Sequence, residues 1–213
     1  PSEIFTETFT PPKTDGSGNA RKNLLKAKEI LQEEGWIIKN DKLTKDGKEF
    51  KFEFLIVSPS DEKIALAYQS NLKKLGITME VRTVDSSQYQ ARLLNYDFDM
   101  IKRYWGVSLS PGNEQQFYWG SEVGKKDGSR NYPGINSPAI DALIEKLISA
   151  KNREELTTAI HALDRVLLWG HYVVPLYHSN KDRIAYWDFF EYPEEIPLYG
   201  IVIESWWVNK DKQ

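Results

Sequence analysis

Three groups of side chains in this chain could do chemistry: paired carboxylates, histidines, and a hydroxyl-rich loop that follows an aromatic run. Asp97 and Asp99 share one face of an extended run, and Glu194 and Glu195 are neighbours. Two carboxylates in unlike environments can act as general acid and base. Flanked by aromatics, Asp97 and Asp99 serve equally well as solubilising groups on a strand. The 3 histidines, His161, His171 and His178, lack the clustered spacing of metal ligands, and His161 falls inside a helical pattern, so no metal site is expected. Gly106-Val107-Ser108-Leu109-Ser110-Pro111-Gly112 has neither the glycine spacing nor the Lys-Ser/Thr ending of a phosphate loop. A Gly-x-Ser-x-Gly nucleophile elbow does not occur either. Ser108 and Ser110 therefore read as hydrogen-bond partners and not as nucleophiles. With 0 cysteines, disulfides, thiolate zinc sites and cysteine nucleophiles are excluded.

The stretch Tyr104-Trp105-Gly106-Val107-Ser108-Leu109-Ser110-Pro111-Gly112-Asn113-Glu114-Gln115 is the most informative. Ahead of it, Phe98 to Trp105 reads as a buried strand, which then gives way to small polar residues, Pro and Gly. Loops that leave strand ends with aromatic, hydroxyl and amide groups are where α/β proteins place ligands. A surface turn after an aromatic strand would show the same composition.

Elements on both sides must position that loop. The stretch Pro1 to Ala20 reads as an extended lead-in, because Pro11-Pro12 and Asp15-Gly16-Ser17-Gly18-Asn19 sustain neither helix nor central strand. A helix starts at Arg21, with Leu24, Ala27, Lys28 and Leu31 on one face and Gly35 ending it. Asp46-Gly47 signals a tight hairpin. Phe50, Phe52, Phe54 and Ile56 alternate with Lys51, Glu53 and Leu55 as in a half-buried strand. A helix from about Asp61 to Gly76, a strand through Ile77, Met79 and Val81, and a helix opened by the capping box Asp85-Ser86-Ser87-Gln88 follow. The strand Phe98 to Trp105 completes an alternation that predicts an open sheet flanked by helices.

Beyond the loop, Glu114 to Gly120 can form a helical turn or two, and Lys125 to Gly134 is rich in turns. Ser137-Pro138 is a helix start, with Ile140, Leu143, Ile144 and Leu147 inward. Asn152-Arg153-Glu154-Glu155 opens another helix, with Leu156, Ile160, Leu163 and Leu167 inward and Gly170 at its end. Strands are expected at Tyr172 to His178, limited to an edge by Pro175, and at Arg183 to Trp187. The tail Ile201 to Val208 reads as a hydrophobic strand set apart by a Pro-rich connection.

Composition bounds the function. The 213 residues carry 28% charged and 40% hydrophobic side chains, as in an ordinary globular protein. A net charge of -3 without any basic stripe argues against nucleic-acid binding. No apolar run has the length of a transmembrane helix. The 7 Trp and 11 Tyr exceed what a core needs and suit partly wet binding surfaces. The chain opens abruptly at Pro1, which suggests a piece cut at a domain boundary, with a targeting segment upstream.

The order of elements, the motif Trp105-Gly106-Val107-Ser108-Leu109-Ser110-Pro111-Gly112-Asn113-Glu114-Gln115, and Ser137-Pro138-Ala139-Ile140-Asp141 resemble the C-terminal half of extracellular solute-binding protein family 5. These are the periplasmic receptors of peptide and nickel ABC importers. Within the family the chain is most similar to oligopeptide-binding proteins associated with microcin C uptake. The resemblance runs from the Thr10-to-Gly18 lead-in to the tail. It implies an α/β fold, a lobe like that of type II periplasmic binding proteins with a mixed open sheet flanked by helices. Residues 1–20 would lead in from an N-terminal lobe absent here, 21–190 would form the ligand-binding lobe, and 191–213 would return to the first lobe.

The implied function is non-enzymatic. The protein would capture peptides or peptide-like solutes in the periplasm and deliver them to permease subunits in the inner membrane, without a cofactor. Arg103, Tyr104, Trp105, Gly106, Val107, Ser108, Leu109, Ser110, Asn113 and Glu114 are the expected ligand-binding residues. Tyr104 and Trp105 would offer ring faces, Ser108, Ser110 and Asn113 hydrogen bonds, and Arg103 or Glu114 charge. Many peptide receptors of the family carry an Asp shortly after the equivalent Trp, pairing with the ligand's amino terminus; Ser108 stands at about that place. A hydroxyl cannot supply that charge-assisted bond. Either Glu114 substitutes or the amine is blocked or bound differently. Two readings compete: a carbohydrate-binding module or oligosaccharide receptor using the aromatic loop, and a hydrolase using Asp97, Asp99 or Glu114.

Overall fold

The computed structural model describes residues 7–106, 108–176, 181–198 and 200–212. The chain divides into two compact units, Pro1–Tyr172 and Val173–Gln213. In the first unit the part of the lead-in from residue 7 to Asn19 has neither helix nor strand; residues 1–6 lie outside the described residues.

Helix α1 (Arg21–Glu33) turns Leu24, Ala27 and Leu31 onto the core, as their spacing requires. A meander follows, β1 (Ile37–Lys39), β2 (Lys42–Lys45) and β3 (Lys48–Glu49), paired antiparallel in that order. Both of its turns have two consecutive positive-φ residues, Asn40-Asp41 and Asp46-Gly47, the mirror-image geometry that suits right-twisted strands. The turn Asn40-Asp41 carries no glycine, so no Asn-Gly or Asp-Gly signal marks it in the sequence.

Strand β4 (Lys51–Ile56) is the centre of a parallel sheet, flanked by β5 (Thr78–Thr83) and β6 (Met100–Ile101). Helix α2 (Pro59–Lys73) connects β4 to β5, and α3 (Ser86–Leu94) connects β5 to β6. The connections cover opposite faces. Phe54, Ile56 and Met79 pack with Ala65, Leu72 and Leu75, while Leu55 packs with Tyr89 and Leu93. The expectation of a half-buried β4 therefore fails at its end, where Phe54, Leu55 and Ile56 are all buried because helices cover both faces. Each of these side chains contributes roughly 1.5–3 kcal/mol of burial. At the sheet's start, Gly76 (φ 77°) lets its carbonyl accept the Leu43 N–H at 2.7 Å, and a Cβ there would stand 2.8 Å from that nitrogen.

Strand β6 is far shorter than the expected Phe98–Trp105. It can pair only along β4, whose ladder ends at Ile56, and the register Phe54 to Met100 and Leu55 to Ile101 leaves a single β4 residue beyond the pairing. Upstream, Tyr96 turns the chain at φ 53°.

Helices α4 (Glu114–Trp119) and α5 (Ser121–Gly124) lead to α6 (Pro138–Ile148) and α7 (Arg153–Trp169). The last two pack on each other through Ile140, Ile144, Leu147, Ala159 and Leu163. Ser137 and Asn152 cap them, accepting the N–H groups of Ile140 and Glu155.

Across Tyr172 and the second unit, the expected strands are absent from residues 172–176 and 183–187, while Tyr177 and His178 lie outside the described residues. The ladder forms instead between β7 (Phe190–Glu191) and β8 (Trp207–Val208). The expected strand 201–208 is interrupted by a 3-10 turn at Ile203–Ser205. Ring packing takes precedence over ladder length here: Trp206 lies 4.9 Å from Tyr186 and 5.1 Å from Tyr192, centroid to centroid.

Candidate functional site

The sheet order β5-β4-β6 sets the C-terminal ends of β4 and β6 side by side, with the chain leaving β4 toward β5 on its other side and leaving β6 into the aromatic loop. In open α/β sheets that divergence opens a crevice in which ligands bind. One side of it is the start of α2, and the other is the loop that leaves β6. An ion pair from Lys102 to Asp61 joins the two sides. The buried Tyr89 hydroxyl donates to the Lys102 carbonyl at 3.2 Å, and burial raises its pKa above the ordinary phenol value, so it remains a donor.

Trp105 stands where two cores meet. Its ring lies 4.9 Å from Trp119, which packs on the α6–α7 core, and 6.4 Å from Tyr132, which packs on the sheet core. Its Nε1 donates to the Arg130 carbonyl at 3.3 Å. The buried Tyr118 hydroxyl donates to the Gly106 carbonyl at 2.8 Å, tying the loop to α4. Trp119 in turn donates to the buried Gln115 amide at 3.0 Å. Asn131, 0% exposed, locks the turn-rich segment behind: its Nδ2 donates to the carbonyls of Gly120 and Ile135, and its Oδ1 accepts the Ile135 N–H.

The expected ligand residues divide by what they do here. Tyr104 is 86% exposed and Leu109 64%, so both present apolar surface to solvent. The Arg103 guanidinium lies over the Tyr132 ring, 5.2 Å from its centroid. Gly106 and Asn113 are exposed, while Val107 lies outside the described residues. Ser108 and Ser110 are both exposed, and the Ser108 hydroxyl is engaged by the Ser110 backbone: it donates to the Ser110 carbonyl at 2.8 Å and accepts the Ser110 N–H at 3.2 Å. Glu114 accepts the Gly112 N–H at 2.8 Å and the Gln115 amide at 3.2 Å. Partial burial opposes its ionisation, but the hydrogen bonds from the Gly112 N–H, its own N–H and Gln115 outweigh that and hold its carboxyl below the usual glutamate value.

The carboxylates considered for acid/base work have structural partners. Asp97 pairs with Arg92 at 2.8 Å, and Asp99 accepts the Glu53 N–H at 2.8 Å. Glu53 bridges Arg82 at 2.5 Å and lies 2.8 Å from Arg92 as an ion pair without hydrogen-bond alignment. Among the described residues, no three His, Asp or Glu side chains converge as metal ligands would.

Sequence reasoning did not single out Tyr118, Arg130, Asn131, Tyr132 or the Lys102–Asp61 pair. Their partners lie 12 (Tyr118), 25 (Arg130) and 41 (Lys102) residues away along the chain, so no local pattern marks them.

Comparison with known proteins is consistent with this geometry. The profile of bacterial extracellular solute-binding proteins, family 5 middle, matches residues 2–127. Protein y4wM of Sinorhizobium fredii is 49% identical over 210 residues, covering 97% of this chain and 32% of that protein. The probable peptide-binding protein YejA of Agrobacterium fabrum is 40% identical over 213 residues, covering 99% of this chain and 35% of that protein. The chain thus spans about a third of the length of these relatives. The oligopeptide-binding protein AppA of Bacillus subtilis, solved with a nonapeptide, superposes with a TM-score of 0.63 at 28% identity, over 70% of this chain and 30% of AppA.

Proposed function

The chain belongs to family 5 of the bacterial extracellular solute-binding proteins, and from that membership we propose that it is one lobe of a two-lobe receptor for peptides or peptide-like solutes. The receptor captures its ligand in the periplasm and hands it to the permease of an ABC importer. One observation carries the reading: the loop that leaves the C-terminal end of β6 holds a Trp105 braced by two cores while Tyr104 and Leu109 stay exposed. A braced aromatic loop loses little entropy when a ligand settles on it. The peptide ligand is supported by the name of the YejA relative and by the nonapeptide held by AppA.

In this reading, residues 21–190 form the lobe, 1–20 lead in from the other lobe, and 191–213 return to it. The ligand is released unchanged, since Asp97, Asp99 and Glu114 are spent on structural contacts. Closure of the two lobes excludes water and presents a shape that the permease reads.

Titration calorimetry on this chain and on the full-length protein tests the proposal. The full-length protein binds peptides, and the chain alone binds them weakly or not at all. Equal affinity in the two contradicts a one-lobe role. Binding of oligosaccharides and not of peptides would favour the carbohydrate reading, for which the exposed Tyr104 ring is the supporting observation.

A further inference from the structure

At the end of the parallel sheet opposite the aromatic loop lies a hollow that the peptide reading does not use. There the Gly76 carbonyl, just ahead of β5, accepts the Leu43 N–H of the meander. Leu43 and Leu75 are its buried lining. Leu31 of α1 stands beside Trp36, whose ring meets Phe50 edge-on at 4.9 Å. Ile37 and Ile38 of β1 line the hollow too, although they are 61% and 45% exposed. The volume is about 300 Å³, at the lower limit of pockets that hold small molecules.

The polar groups of the lining define the chemistry of an occupant. They are one charge, Lys28, and one amide, Gln32. Four residues apart on α1, the two stand a turn apart on the same face. It is the face that Leu24, Ala27 and Leu31 turn to the core, an unusual place for a lysine. Among the described residues the Lys28 ammonium has no carboxylate within ion-pair distance, and the Gln32 side chain has no hydrogen-bond partner. The adjacent acid, Glu29, is taken by Lys26 at 3.4 Å. An unpaired cation and a free amide beside an apolar hollow match a molecule with one anionic end and one aliphatic chain. Its carboxylate accepts from Lys28 and Gln32, and its chain takes the exposed isoleucine surface out of water. A protein segment docks instead through several side chains spread along a groove.

We propose that this hollow is a binding site for a medium-chain aliphatic carboxylate, separate from the aromatic loop and independent of the peptide reading.

The test is calorimetry on the full-length protein with hexanoate, octanoate and decanoate, beside octylammonium and phosphatidylglycerol vesicles. Each added methylene tightens binding about two- to fourfold, and octylammonium binds about tenfold more weakly than octanoate. Affinity that is flat with chain length, or equal for the ammonium, overturns the proposal. Binding to vesicles without binding of the free carboxylates overturns it in favour of a membrane surface. Two variants at exposed positions locate the site. Lys28→Met keeps an apolar stem over the hollow and removes the charge, so octanoate affinity falls about fivefold. Unchanged affinity would mean that Lys28 only covers apolar surface, and overturns the proposal. Ile38→Glu sets a like charge at the rim and weakens octanoate about tenfold or more. Octanoate binding that survives Ile38→Glu lies elsewhere on the protein and overturns it as well.

Discussion

Trp105 and Trp119 lie 4.9 Å apart at an interplanar angle of 39°, and each indole N–H is used within the fold, one on the Arg130 carbonyl and one on the Gln115 amide. The pair is the joint between the β6 loop and the helical core of α6 and α7. Its N–H groups being satisfied, it braces the loop and leaves recognition to the exposed groups around it.

This joint predicts energetic coupling. Trp105→Ala and Trp119→Ala, singly and together, form a double-mutant cycle read by urea denaturation. A coupling of about 1 kcal/mol is expected for rings in contact. Strict additivity would show that the rings are adjacent without supporting each other.

Asn131 predicts a larger single effect. Replacing it by Ala strands the Gly120 carbonyl and both backbone groups of Ile135 in a buried site. Leaving one such group unsatisfied costs about 1–3 kcal/mol, so a loss of roughly 3 kcal/mol or more is expected. Asn131→Asp should fare no better, because a carboxylate cannot donate to the two carbonyls. A shift under about 1 kcal/mol in the unfolding free energy would show that water replaces the amide.

Much of the fold is legible in local patterns because its boundaries are local chemistry. Ser137, Asn152 and Asp85 are caps whose partners lie within three residues, and Asp46-Gly47 makes its own turn. The length of β6 is not local: it depends on where β4 stops, a fact written some 45 residues earlier (Ile56 against Ile101). The tail failed for a related reason. Ile201 to Val208 has strand composition, but Trp206 packs between Tyr186 and Tyr192, and that contact sets the backbone. At the site, the aromatic loop could be found from its composition. The local bond of Ser108 to the Ser110 backbone and the use of Glu114 as a local acceptor could not, since neither partner is marked by the residue type alone.

The caps themselves predict an asymmetry. Asn152 accepts the Glu155 N–H at 2.9 Å, and Glu155 returns the interaction by accepting the Lys151 N–H at 2.9 Å. Ser137 accepts the Ile140 N–H at 3.5 Å, a weaker contact, and Pro138 already fixes the first helical residue. Asn152→Ala should cost about 1 kcal/mol and Ser137→Ala only a few tenths. Thermal unfolding of the two variants checks the order, and a larger loss at Ser137 would contradict it.

Glu114 gives a pH-dependent prediction. Its folded pKa lies below the ordinary 4.5, because hydrogen bonds from the Gly112 N–H, its own N–H and the Gln115 amide outweigh its partial burial. A depressed carboxylate pKa means that the unfolded chain takes up the proton first as pH falls. The stabilisation is complete above the ordinary value and is lost as pH drops through the lower folded one. In Glu114→Gln that titration is gone, and the neutral amide oxygen makes a weaker bond to the Gly112 N–H. Urea midpoints of the two proteins should therefore differ most near neutral pH and converge in acid, below the glutamate range. A gap that stays constant across that range would mean that the Glu114 side chain supports the loop by its shape, with its charge contributing nothing.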